Sequence, residues 1–115
     1  MPKETEKKER TFDDLNAAEK LRLGIRYKAW FDSCMKGQPF MAPMFTSVAM
    51  ISIDLVNKFP SETDEDIERI ELYNIWCAAC LEGKPIMEKE YTDAAIEFRN
   101  ILIAPDGRMT KPAEG

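Results

Sequence analysis

Histidine is missing from all 115 residues. Its absence removes the commonest general base, the commonest metal ligand and every Ser-His or Cys-His nucleophilic pair. Cysteine is scarce and odd in number, three, with none of the even spacing of a disulfide framework. With no basic-then-apolar leader at the N-terminus, reduced thiols and a cytoplasmic location are expected. No apolar run approaches the roughly 18 residues that cross a bilayer, so no membrane contact is expected. Repeats, low-complexity tracts, Gly-rich turns and alternating strand patterns are missing as well.

What is present is a chain of one domain's length in which 32% of residues are charged and 44% are apolar. Residues 1–10 are charged and read as a disordered N-terminal tail, residues 11–104 as a single helical domain, and residues 105–115 as a disordered, Pro- and Gly-containing C-terminal tail. The net charge of −5 is concentrated: Ser61–Glu71 carries six carboxylates against Arg69, which leaves the rest of the chain neutral. Phosphate neutralisation is therefore not available to the whole domain, and nucleic acid is not expected as a partner. The basic run of Lys20, Arg22, Arg26 and Lys28, near Tyr27 and Trp30, reads as the solvated face of a helix.

The punctuation predicts an all-α four-helix bundle with helices at about 12–36, 43–58, 63–82 and 88–103. Thr11 serves as N-cap of the first helix, with Asp13 and Asp14 in its first turn, and Gly37 ends it. Its apolar residues form two runs at helical spacing, Leu15, Ala18, Leu21 and Ile25, then Leu23, Tyr27, Trp30, Phe31 and Cys34. Pro43 fits the first position of the second helix and Pro60 ends it. Ser61 or Thr63 caps the third, which stops at Gly83, and the fourth places Tyr91, Ala94 or Ala95, Phe98, Ile101 and Leu102 on one stripe before Pro105.

The segment Leu72–Leu81 has no charge and one strongly polar side chain, Asn74. Within it, Trp76-Cys77-Ala78-Ala79-Cys80 resembles the active-site string of thioredoxin-like oxidoreductases. That resemblance would imply a thiolate at the start of a helix that follows a strand. Here the string falls near the end of a long helix, where the dipole raises a thiol pKa, so the pair reads as core filling. Cys34 with Cys77 and Cys80 would still need a carboxylate as fourth zinc ligand, and no metal is expected.

A second resemblance lies in the carboxylates. Glu68-x-x-Glu71 followed by Glu90-x-x-Asp93 resembles the paired acidic signature of all-α nucleotide pyrophosphohydrolases. It implies two facing helices holding magnesium for attack on a triphosphate. In a hairpin bent at Gly83–Lys84, Glu71 stands about twelve residues from the bend and Glu90 about six, an offset of roughly 9 Å. Acids in the first turns of a helix also have a simpler use, complementing its dipole.

The remaining signal is apolar excess. The second helix and the second half of the third are nearly uncharged around their circumference, yet four helices of this length surround one such element at best. Seven methionines accompany them, with Met41 and Met44 beside Phe40 and Phe45. Such side chains on a surface make an adaptable protein-binding patch. The function expected is that of a small non-catalytic protein-binding module, an accessory subunit of a larger assembly or an inhibitor. Phe40, Met41, Met44, Phe45 and Trp76 form its interface, and Glu62, Asp64, Glu65, Asp66 and Glu68 an acidic patch that steers a partner. The partner is another protein, with self-association expected and no cofactor. The alternative is the magnesium-dependent hydrolase. Asp54 and Asn74 are the polar residues expected to be enclosed, each needing a hydrogen-bond partner.

Overall fold

Local backbone devices set the helix ends. The structure, a computed structural model, describes residues 12–111. A 3-10 turn at Phe12–Asp14 leads into α1 (Ala17–Met35), which is followed by α2 (Pro43–Asn57), α3 (Asp64–Leu81) and α4 (Lys89–Leu102). Among the described residues there is no strand, only an isolated antiparallel bridge between Ile103 and Met109. Consecutive helices pack on one another, and the chain is the all-α four-helix bundle expected.

The first helix starts later than expected. Thr11, the expected cap, lies outside the described residues, as does the expected tail 1–10; Asn16 caps α1 instead. Its Oδ1 accepts from the Glu19 N–H at 2.8 Å while Glu19 Oε1 accepts from the Asn16 N–H at 2.9 Å. This reciprocal box satisfies two donors that the first turn leaves unpaired. Pro43 opens α2 at its first position, and Thr63 caps α3 by accepting from the Asp66 N–H. Both α1 and α3 end on a glycine with positive φ, 79° at Gly37 and 81° at Gly83. At each exit the glycine N–H and the next N–H reach back to carbonyls of the last turn, the pairing a left-handed residue permits.

The core forms where the inner faces of α1 and α3 meet. Trp30 and Trp76 are fully buried with ring centroids 5.7 Å apart and edges to faces, and Phe31 lies 5.1 Å from Trp76. Through the middle runs a linear chain of hydroxyls from three helices. Tyr27 Oη donates to Tyr73 Oη at 2.7 Å, Tyr73 Oη donates to Ser52 Oγ at 2.8 Å, and Ser52 Oγ donates to the Ala49 carbonyl at 2.6 Å. Every hydroxyl proton has an acceptor, so three polar groups are buried without an orphaned donor.

The C-terminal segment corrects another expectation. Residues 105–111 are not a frayed tail: after α4 the backbone turns and lies across α1. The Met109 N–H donates to the Lys20 carbonyl at 2.9 Å, the Thr110 N–H to the Leu102 carbonyl, and Met109 is fully buried. Gly24 makes this possible. A Cβ at residue 24 would stand 1.9 Å from the Gly107 carbonyl oxygen, so any side chain there would push the segment off. Glycine inside a helix costs about 1 kcal/mol relative to alanine, and here the notch it leaves is filled by backbone. Residues 112–115 of the expected tail lie outside the described residues.

Candidate functional site

The two apolar runs read along the first helix prove to be two different faces. Tyr27, Trp30, Phe31 and Cys34 point inward, whereas Leu21 and Ile25 point away from the core and are 40% and 56% exposed. A helix turns by about 100° per residue, so positions 21 and 25 share one side and 27, 30 and 34 another. Leu21 and Ile25, with Ala18 and Ala29 on either side, form one wall of an open groove of about 540 Å³. The other wall is the start of α2, Met44 and Phe45.

The neighbouring connector extends this surface. Ser33, on the last turns of α1, donates its hydroxyl to the Trp30 carbonyl and accepts the Phe40 N–H at 2.9 Å, fixing the chain where it leaves the helix. The Phe40 ring then rests on Phe45 with centroids 4.9 Å apart. Phe40, Met41 and Met44 are each about half exposed, at 45%, 50% and 47%. Thus four of the five residues expected at an interface, Phe40, Met41, Met44 and Phe45, are close together at the α2 end of the groove. Trp76 is not among them. It is fully buried against Trp30 and Phe31, because a large ring on the inner side of α3 is the side chain that the core needs.

The groove has a charge of one sign. Arg22 and Arg26 line it, and among the described residues no carboxylate does. Among the described residues neither guanidinium makes an ion pair; the cations that do are Lys58, Arg69, Lys89, Arg108 and Lys111. The same two arginines border a second groove of about 680 Å³ between α1 and the far half of α2, where Asp13, Glu19 and Asp54 oppose them. Tyr27 and Trp30, the aromatics of this basic run, are buried and present no stacking platform for a base.

The acidic patch has a partly structural use. Asp66 accepts the Glu62 N–H and faces Arg69 at 3.5 Å, and that backbone hydrogen bond holds its carboxyl below the usual range. Arg69 also reaches Glu65 and, across to α4, Glu97 at 3.2 Å. Glu62, Asp64, Glu65 and Glu68 are exposed, as is Glu71. Further along α3, Ile67 and Ile75 lie on the outer side with Glu68 and Glu71, 47% and 46% exposed. Asn74 is half-buried and has the partners expected of it, pairing reciprocally with Asn57 and donating to the Ile70 carbonyl. Asp54, expected to be enclosed, is exposed and pairs with Lys58 one turn on, because its side of α2 faces solvent.

The four carboxylates of the hydrolase pattern are not drawn into one site. Arg69 and Glu97 are level across the α3–α4 hairpin, which places Glu90 and Asp93 about 6–10 Å back toward the start of α4. Asp93 pairs with Lys89 at 2.6 Å, and among the described residues no three Asp, Glu or Cys side chains form a group able to hold a metal ion. Cys34, Cys77 and Cys80 are free and buried. The Cys80 thiol facing Cys34, together with burial, pushes the Cys34 thiol far above its ordinary range, and burial does the same to Cys77. Neither is a nucleophile at neutral pH.

No family model matches this chain, and no curated protein or solved structure matches it. No helix among the described residues is long and apolar enough to cross a membrane.

Proposed function

We propose that the protein is a small non-catalytic binding module that acts as an accessory subunit or inhibitor by covering its α1–α2 groove with another polypeptide. One observation carries the reading: Leu21, Ile25, Met44 and Phe45 converge on a groove whose only charges among the described residues are two arginines that make no ion pair there. An uncovered patch of this kind leaves apolar area in water that association removes, worth about 25 cal/mol per Å². Methionine and phenylalanine adapt their shape to what they meet, and the arginines select against partners without carboxylates. The acidic start of α3 contributes a field of opposite sign elsewhere on the molecule, which suits steered association. Three free thiols fit a reducing compartment such as the cytoplasm.

The test is a photo-crosslinking amino acid placed at Met44, with the same probe at the exposed Asn100 of α4 as control. The expected result is a discrete polypeptide adduct from position 44, absent from position 100 and lost when Ile25→Ser is added. Equal labelling from both positions, or none from either, would remove the binding reading.

A further inference from the structure

The chain carries, on its own surface, a helix face that complements the groove. α3 turns outward Ile67 and Ile75, each nearly half exposed, with Glu68 and Glu71 among them. Like Arg22 and Arg26, these two glutamates make no ion pair among the described residues. The two surfaces match in three respects. Each offers a pair of branched aliphatic residues along one helix side: Leu21 and Ile25 are one turn apart, Ile67 and Ile75 two turns. Each flanks that pair with two like charges, guanidinium on one and carboxylate on the other. From Ala18 to Ala29 the groove runs about 16 Å, and from Ile67 to Ile75 α3 runs about 12 Å, so the acidic strip fits within it.

We propose that the occupant of the groove is a second copy of this chain, which inserts the outer face of α3, Ile67 and Ile75 with Glu68 and Glu71, between α1 and the start of α2. The proposal rests on the protein-binding reading above and gives it a partner. Two different surfaces meet, so the contact is heterologous and propagates head to tail, closing into a ring or extending as a chain of subunits. A face-to-face pairing of two grooves would instead set four arginines against each other with no carboxylate between them. Arg22 and Arg26 then serve to fix the register of the incoming helix by pairing with Glu68 and Glu71.

Sedimentation velocity on the full chain tests this. Wild type, from about 5 to 500 µM, should show assemblies that grow with concentration and weaken about tenfold between low and high salt. The double variant R22E/R26E should be monomeric, because an acidic groove then meets an acidic helix. E68R/E71R should be monomeric for the opposite reason. Mixed in equal amounts, the two should assemble again, since each groove now faces a helix of opposite charge. Circular dichroism reports whether each variant is folded; where one is not, R22Q/R26Q or E68Q/E71Q replaces it and should weaken association several-fold. A wild-type chain that stays monomeric at the highest concentration, assembly indifferent to both reversals, or folded variants whose mixture fails to recover would each overturn the proposal. If the chain is monomeric while the probe at Met44 still captures a different polypeptide, only the second-copy occupant is wrong. If the probe captures nothing, the binding reading falls too.

Discussion

The two sides of α1 carry similar apolar residues under opposite conditions. On the inner side, Tyr27, Trp30, Phe31 and Cys34 are enclosed by α2, α3 and α4, and the hydroxyl of Tyr27 belongs to a chain in which each donor has its acceptor. On the outer side, Leu21 and Ile25 face the start of α2 across an open groove, and among the described residues Arg22 and Arg26 beside them make no ion pair. Inside, shape and hydrogen bonding specify one arrangement, so change is costly. Outside, Leu21, Ile25 and Met44 keep 40%, 56% and 47% of their surface in solvent, so less of the monomer's packing rests on them. The contrast separates an enclosed face from an open one on a single helix.

The largest break in that contrast comes from the inner side. Trp76→Ala removes a fully buried indole that touches Trp30, Phe31 and Tyr73, and should cost about 3–5 kcal/mol in urea denaturation. For a domain with the usual stability of about 5–15 kcal/mol, that approaches unfolding. Next is Gly24→Ala. The added methyl meets the Gly107 carbonyl at 1.9 Å. Unseating residues 105–111 should expose Met109 and lower stability by about 2–3 kcal/mol, more than the roughly 1 kcal/mol that alanine gains as a helix former. A Gly24→Ala protein as stable as wild type would show that the segment does not hold α1. Tyr73→Phe is smaller. It keeps the ring but leaves Tyr27 without its acceptor and Ser52 without its donor, a loss of about 1–3 kcal/mol. The smallest effect belongs to the outer side: Met44→Ser or Ile25→Ser should leave monomer stability within about 0.5 kcal/mol. A loss of 2 kcal/mol at either position would erase the distinction between the two faces.

Sequence carried the helices well wherever a residue has a fixed backbone consequence. Pro43, Thr63, Gly37 and Gly83 mark their ends as expected, and α2, α3 and α4 lie within one or two residues of the boundaries drawn from them. The start of α1 was harder to read because Thr11 and Asn16 are both cap residues. The Asn16–Glu19 box, whose letters are plain in the sequence, is the stronger device. Tertiary contacts were less legible. The end of the chain is polar and carries Pro and Gly, yet Met109 is buried because Gly24 leaves room for it. A glycine inside a helical pattern was the available clue to a close backbone approach. Periodicity put both Leu21 and Trp30 in apolar stripes but says nothing about which stripe finds a neighbour. For the same reason the pattern singles out Phe40, Met41 and Met44, which are about half exposed, and Phe45, which is half-buried, but also Trp76, which is buried in the core, and it misses the α1 wall.

The hydroxyl chain at the centre of the bundle has a spectroscopic consequence. Tyr27, Tyr73 and Ser52 are fully buried and the last acceptor is the Ala49 carbonyl rather than water, so the three hydroxyl protons are out of reach of bulk solvent. The phenolic protons of Tyr27 and Tyr73, pushed far from ionising by burial, should then appear as discrete resonances in a proton spectrum. They should vanish only when α1, α2 and α3 separate together, which would make them an internal clock for cooperative opening.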